Sequence, residues 1–323
     1  MTIIVTGAAG FIGHAVAHAL LDRGEAVIGI DNLNDYYEVS LKEARLATLA
    51  TRAGFTFHRM DIAEAEAVRA LITGSGATRV VHLAAQAGVR YSLDNPHAYE
   101  RSNLAGHLAV LEGCRHAPAL THLVYASSSS VYGDRPLDGA GFREDDPTVT
   151  PVSLYAATKR ACELMSQSYT MFGFPQTGLR FFTVYGPWGR PDMAYFGFTR
   201  KMLSGQPIEV FGEGLLARDF TYIDDIVAGI LGALDHPPER HGHRVLNIGK
   251  SHPETVLAMI AALESALGVK AQMVMKPKPP GDVTATYADV SKLTALTGYR
   301  PMTPIETGLA RFADWYRAYY SIF

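Results

Sequence analysis

A chain of 323 residues that is 48% hydrophobic can bury a large core, which excludes an intrinsically disordered protein. Its 29 Lys+Arg stand against 32 Asp+Glu, a net charge of −3, with no basic block of the kind that tracks a phosphodiester backbone, so no nucleic-acid partner is expected. Two cysteines, Cys114 and Cys162, lack a CxxC spacing, which argues against a disulfide framework or a thiolate zinc site and for a reducing cytoplasm.

The first run, residues 2–6, reads as a strand and not as a signal segment, and no later stretch has the about 18 uninterrupted apolar residues a membrane span requires. Short β-rich runs near 2–6, 26–30, 55–59, 79–83, 120–127 and 176–182 alternate with helical patterns. That alternation predicts an α/β protein built on a Rossmann-type, doubly wound parallel sheet. Residues 6–13 read Thr-Gly-Ala-Ala-Gly-Phe-Ile-Gly between the first strand and a helix-forming run at 14–21. Gly7, Gly10 and Gly13 would supply a tight turn, close backbone approach to a pyrophosphate and a helix-to-sheet contact, with Phe11 and Ile12 in the same turn. The spacing is GxxGxxG, and context strengthens it: Asp31 follows Gly13 by 18 residues at the end of the second strand. A carboxylate there accepts from ribose hydroxyls and repels a 2′-phosphate, which favours NAD over NADP. Asp61 and Ile62, after the third strand, are candidates for the adenine edge. His14 and His18 lie at i, i+4, a metal-binding spacing, but with no glutamate between them a structural role is expected and no metal.

Helices near 95–116 and 153–173 carry apolar residues to pack on the sheet or on a second subunit. Between them Ser127-Ser128-Ser129-Ser130 emerges from the fifth strand, at the carboxyl end where such sheets bind ligands. Of the 16 tyrosines only Tyr155 has a lysine four residues on, Lys159, and in a helix the two share a face. A phenol is a weak base until neighbouring cations favour its phenolate, and the lysine and a nicotinamide ring both do so. Tyr155 can then take a proton from a substrate hydroxyl as hydride leaves the same carbon, while Lys159 reaches the nicotinamide ribose.

After residue 183, Pro187, Gly189, Pro191, Gly205, Pro207, Gly212 and Gly214 predict loops over a cleft. A helix near 223–235 and a strand near 244–248 return to the main domain, and a final helix is expected near 304–320. The expected division is a cofactor domain at 1–182 plus 222–250, and a smaller discontinuous α/β substrate lobe at 183–221 plus 251–323.

The glycine turn, the serine loop and Tyr155-x-x-x-Lys159 together resemble the extended short-chain dehydrogenase/reductase family, and the likeness runs end to end. Within that family, DNLNDYYEVSLK (31–42), HLAAQAGVRYS (82–92), SLYAATK (153–159), LRFFTVYGPWGRPDM (179–193) and RDFTYIDDI (218–226) are similar to the epimerases that act at carbon 4 of UDP-glucuronate. The resemblance implies adenosine-side contacts by Asn32, Asn34 and Lys42, and a cofactor wall of Leu83, Ala84, Ala85 and Asn103. It makes Ser128 the catalytic serine, with Ser127 and Ser129 as donors to substrate, and Arg190, Arg218 and Asp282 as nucleotide or diphosphate contacts. It also implies a homodimer through the two long helices. Ala217, Tyr195-Phe196-Gly197 and the proline-rich segment before Gly281 depart from the family's pattern and bear on the nucleotide clamp.

The implied reaction removes the carbon 4 hydride of UDP-glucuronate to NAD and returns it to the other face of a 4-keto sugar. Because that intermediate is a β-keto acid, Ser127, Ser129 and Thr183, with Arg90 or Arg190, would have to hold the carboxylate near the ring plane. The rivals are a UDP-glucuronate decarboxylase, a sugar-nucleotide dehydratase, a UDP-glucose 4-epimerase and a non-catalytic NAD sensor. Ser129-Ser130 stands where the first places a glutamate and the second an Asp-Glu pair. Thr183 with the Gly186–Arg190 run weighs against the third, and an intact Ser128/Tyr155/Lys159 set against the fourth.

Overall fold

The computed structural model describes residues 1–134, 140–277 and 285–322. Its strands are β1 (Thr2–Thr6), β2 (Ala26–Asp31), β3 (Phe55–Arg59), β4 (Arg79–His82), β5 (His122–Ser128), β6 (Gln176–Phe181), β7 (Thr183–Tyr185), β8 (Ile208–Phe211), β9 (Ala217–Tyr222), β10 (His243–Ile248), β11 (Pro253–Thr255), β12 (Met273–Lys276) and β13 (Ala285–Thr286). The helices are α1 (Phe11–Asp22), α2 (Val39–Ala50), α3 (Ala65–Gly74), α4 (Tyr91–Asp94), α5 (Pro96–Tyr99), α6 (Gly106–Arg115), α7 (Leu154–Ser168), α8 (Ala194–Leu203), α9 (Ile223–Asp235), α10 (Val256–Leu267), α11 (Ser291–Thr297) and α12 (Ile305–Tyr320).

Among the described residues a seven-stranded parallel sheet runs in the order β10-β6-β5-β4-β1-β2-β3. β1 is apolar and β-branched on both faces because helices cover both; Ile3, Ile4 and Val5 are fully buried. The chain proceeds outward from β1 in one direction and from β4 in the other, so the crevice beyond Thr6 and His82 is the switch point at which such sheets bind ligands. The remaining strands form a β11-β9-β13 sheet joined by β7, and a β8–β12 pair.

One expectation is refined and one corrected. The helix expected at 95–116 is present as continuous helical backbone over 96–115, made of α5, a π-helical turn at Glu100–Ala105, and α6. A π turn inserts a residue that a hydrophobic repeat does not register, and here it carries Asn103 inward. The region expected to be loops after 183 contains α8, β8 and β9; its prolines and glycines terminate short elements instead of dissolving them.

Candidate active site

At the end of β1 the chain turns through Gly7 with φ +72°, in the left-handed region. A Cβ on Gly7 would lie 2.8 Å from the Ala84 amide nitrogen, and one on Gly13 only 2.0 Å from the Gly7 carbonyl oxygen. The turn therefore presses against both the segment after β4 and its own helix. α1 starts from Gly10 without a capping side chain and without an acid in its first turn, so its positive end is left for an anion. Asp31 accepts from the Ala9 N–H (3.1 Å) and the Leu33 N–H (2.8 Å), one on each carboxylate oxygen. Burial pushes its pKa up against the pull of those N–H groups and of Lys42. Each oxygen keeps a lone pair for a hydroxyl donor. An uncapped helix end beside a half-buried carboxylate at the switch point fits the pyrophosphate and ribose of NAD.

The other predicted cofactor contacts shape this cradle. The Asn32 side chain accepts from the Asn34 N–H (3.1 Å), and Lys42 Nζ donates to both oxygens of Asn34 at 2.6 Å, so the three fold their own loop. Leu83 and Ala84, followed by Ala85, donate their backbone N–H groups to the Thr6 hydroxyl at 3.1 Å. Asn103 accepts from the Gln86 N–H (2.8 Å) and donates to the Gln86 carbonyl (3.1 Å) and Thr158 (3.0 Å), tying the segment after β4 to α7. Both of its amide protons are committed there. Phe11 and Ile62 are 5% and 6% exposed, and Ile62 packs on Gly106. Asp61 accepts from the Ala63 N–H (2.9 Å) and pairs with Arg101 (2.9 Å), the geometry of a turn acid.

On the opposite wall, α7 is capped by Ser153, whose hydroxyl accepts from the Ala156 N–H at 3.1 Å. Lys159 is 5% exposed, and its ammonium donates to the Ala126 carbonyl (2.9 Å) on β5, next to the serine run. The Tyr155 ring stands edge-on to Tyr99 at 6.0 Å, and the Tyr99 hydroxyl donates to the Ala87 carbonyl (2.9 Å). The Ser128 hydroxyl accepts from the Ser130 N–H (3.1 Å) and caps a 3-10 turn that carries Ser129. Behind the lysine, His82 and His107 stack at 5.3 Å. Burial, with the Lys159 charge in addition, drives both imidazole pKa values down, that of His107 to about 3. Neither ring competes with the lysine as a cation at neutral pH.

Ser127 departs from expectation. It is 2% exposed, and its hydroxyl donates to Glu163 Oε1 at 2.5 Å instead of being held out to a substrate. The reason is strand alternation: Ser127 and Ser128 point to opposite faces of β5. Glu163 accepts further from Arg180 through Nε and Nη2 (2.8 Å each) and from Arg160 (2.7 Å). Burial alone would raise its pKa; Arg180, Ser127 and Arg160 outweigh this and hold it below 4.5. No motif in the sequence marks this ion pair; the one local signal is that Glu163 lies four residues beyond Lys159 on the same helical face.

Of the remaining candidates, Thr183 opens β7 opposite Phe220, and Arg218 lies on β9 with its guanidinium on the Ala217 carbonyl (2.8 Å). Arg190 is engaged by Asp192 through two bonds of 3.0 and 2.6 Å. Arg90 is exposed and lies over the Phe211 ring at 5.5 Å. Asp282 is outside the described residues. His14 and His18 both direct Nε2 at the Thr48 hydroxyl (2.9 Å each), which itself donates to the Arg45 carbonyl.

An uncapped helix end and a two-oxygen acceptor at the switch point, with a phenol and an ammonium on α7, are the features of a Rossmann-type nucleotide-binding fold. The chain belongs to the NAD dependent epimerase/dehydratase family, which matches residues 3–249. It is 48% identical to UDP-glucuronate 4-epimerase 3 of Arabidopsis thaliana, over 99% of this chain and 77% of that one. An uncharacterized protein of Escherichia coli O111:H- is 50% identical over the full length of both. The crystal structure of UDP-glucuronic acid 4-epimerase from Bacillus cereus, in complex with UDP-glucuronic acid and NAD, is 36% identical; the match covers 99% of this chain and 100% of that chain with a TM-score of 0.91.

Proposed function

We propose that this chain interconverts UDP-glucuronate and UDP-galacturonate by epimerisation at carbon 4 through a transient 4-keto sugar, with NAD as a resident cofactor. The observation that carries the reading is the pairing of Tyr155 and Lys159 with a serine loop free of acids. The similarity to UDP-glucuronate 4-epimerase 3 and to the Bacillus cereus enzyme supports the choice of substrate. When bound, NAD supplies the acceptor and then the donor of the carbon 4 hydride. The turn at Gly7, Gly10 and Gly13 would hold its pyrophosphate, and Asp31 its adenosine ribose.

Tyr155 takes the carbon 4 hydroxyl proton and returns it after the ketone has presented its other face. Lys159, fixed on the Ala126 carbonyl, would reach the nicotinamide ribose and orient the ring. Ser128 donates to the same oxygen, and its loop is anchored from below through Ser127 on Glu163. Ser129 and Thr183 offer hydroxyls to the carboxylate, Arg90 and Arg190 offer charge, and Arg218 and Asp282 stand for the nucleotide. With no carboxylic acid in the serine loop, elimination of water lacks its acid and base. The domain boundary falls between Phe182 and Thr183. A homodimer would cover Leu108 on α6 and Leu164 on α7, which are 42% and 55% exposed. Cytoplasmic residence suits two free, buried cysteines, and among the described residues no helix is long and apolar enough to cross a membrane.

The test is incubation of the purified chain with UDP-glucuronate without added reductant, with products resolved by NMR. UDP-galacturonate is expected; a UDP-pentose with CO2, or no turnover, overturns the reading.

A further inference from the structure

Arg45, on α2, is fully buried. Its guanidinium makes five hydrogen bonds, to the Ala9 carbonyl (3.0 Å), the Tyr37 hydroxyl (2.7 Å), the Gly189 carbonyl (3.0 Å) and twice to the Trp188 carbonyl (2.6 and 3.1 Å). These use every N–H donor a guanidinium has, and no acceptor is a carboxylate. A desolvated cation satisfied only by neutral acceptors keeps its charge available to a neighbouring anion. Ala9 lies in the glycine turn; Trp188 and Gly189 lie in the loop that carries Arg190. One side chain thus clasps the proposed cofactor turn to the proposed substrate loop.

The clasp holds the second loop in a conformation it would not keep unaided. Trp188 has φ +61°, which a bulky side chain rarely adopts, and its ring is wedged between His14 (5.4 Å) and Trp315 (5.3 Å). A second tie runs parallel: the Tyr36 hydroxyl donates to Asp192 (3.2 Å), the carboxylate that orients Arg190. We propose that Arg45 is a positioning residue that makes NAD non-exchanging and sets the Arg190 loop, by pinning the Trp188 and Gly189 carbonyls against the glycine turn.

This inference rests on the reading of the site as an NAD-dependent epimerase. It is tested with Arg45→Lys, which keeps the charge but cannot bridge three carbonyls, and with Tyr36→Phe, which removes the second tie alone. NAD carried through purification is released by denaturation and quantified, exchange of bound for labelled NAD is timed, and KM for UDP-glucuronate is measured. Arg45→Lys is expected to exchange NAD at least about tenfold faster and to raise KM, with added NAD restoring the turnover lost through dissociation. Tyr36→Phe is expected to raise KM with a smaller effect on exchange. If the parent chain holds NAD and Arg45→Lys matches it in exchange rate and KM, the clasp is overturned while the proposed reaction stands. A parent chain that neither carries nor binds NAD overturns both.

Discussion

Replacing Glu163 by glutamine removes one charge and keeps the shape of the side chain. Glu163 and Arg180 are 1% and 3% exposed, so the pair is sealed from water. In the variant, Arg180 retains the Tyr132 hydroxyl (3.0 Å) and the Glu144 carbonyl (3.1 Å), but its Nε and Nη2 face a carboxamide that can accept with only one of its two ends. Breaking a buried pair from one side costs about 3–5 kcal/mol. With an unfolding entropy of about 2.1 cal/mol/K per residue, this chain should lose about 4–7 °C in Tm. Ser127 must share the single carboxamide oxygen with Arg180, the loop bearing Ser128 is held less firmly, and kcat should fall by about tenfold to a hundredfold. The double variant Glu163→Leu/Arg180→Met separates the two effects. With no buried charge left unpaired, Arg160 being 32% exposed, it should recover most of the stability but not the rate, because Ser127 then has no acceptor at all. Denaturant melts and steady-state kinetics on the three proteins decide the matter. A Glu163→Gln variant within about 0.5 kcal/mol of the parent, with unchanged kcat, refutes the argument.

Tyr155→Phe should retain NAD and lose about two to four orders of magnitude in kcat, read by product NMR; near-parental turnover rejects the phenol as base. Gly13→Ala places a methyl against the Gly7 carbonyl and should cost about 1–3 kcal/mol together with most bound NAD, seen as loss of co-purified nucleotide. Burial lowers the imidazole pKa of His14 and His107 from 6.5 to about 3 and that of His122 to about 4. The unfolded chain binds a proton on each below 6.5 that the folded chain refuses, so stability falls as pH drops from 6.5 towards 4. At about 1.4 kcal/mol per pH unit for each ring, the three together should remove about 4 kcal/mol between pH 7 and pH 5.5. Equal urea midpoints at the two values would contradict this.

The cofactor side was legible because its chemistry is local: three glycines, an apolar strand before them and an acid at the next strand end. The helix that carries Tyr155 and Lys159 was legible for the same reason. Arg45 was not, since apart from Tyr37 its acceptors lie 36, 143 and 144 positions away and nothing near it in the sequence signals them. The π turn at Glu100–Ala105 escaped because it preserves composition while shifting phase. Ser127 shows a different limit. Strand parity could have placed it on the face opposite Ser128, but four consecutive serines look interchangeable until the strand's end is known to lie at Ser128.

Tyr155, Lys159 and Glu163 lie at steps of four along one uninterrupted helix, α7. Over those eight residues the helix rises about 12 Å and its face turns by about 80°, so a buried ion pair at one end and a phenol at the other are held apart by a rigid ruler. The separation between the anchor and the phenol is set by backbone hydrogen bonds, not by loops. Point substitutions along α7 can be absorbed one at a time, whereas a single inserted or deleted residue between positions 155 and 163 would swing one end by about 100° relative to the other. Length within this segment is therefore under a stricter constraint than composition, and insertions should be tolerated in the chain's loops long before they are tolerated here.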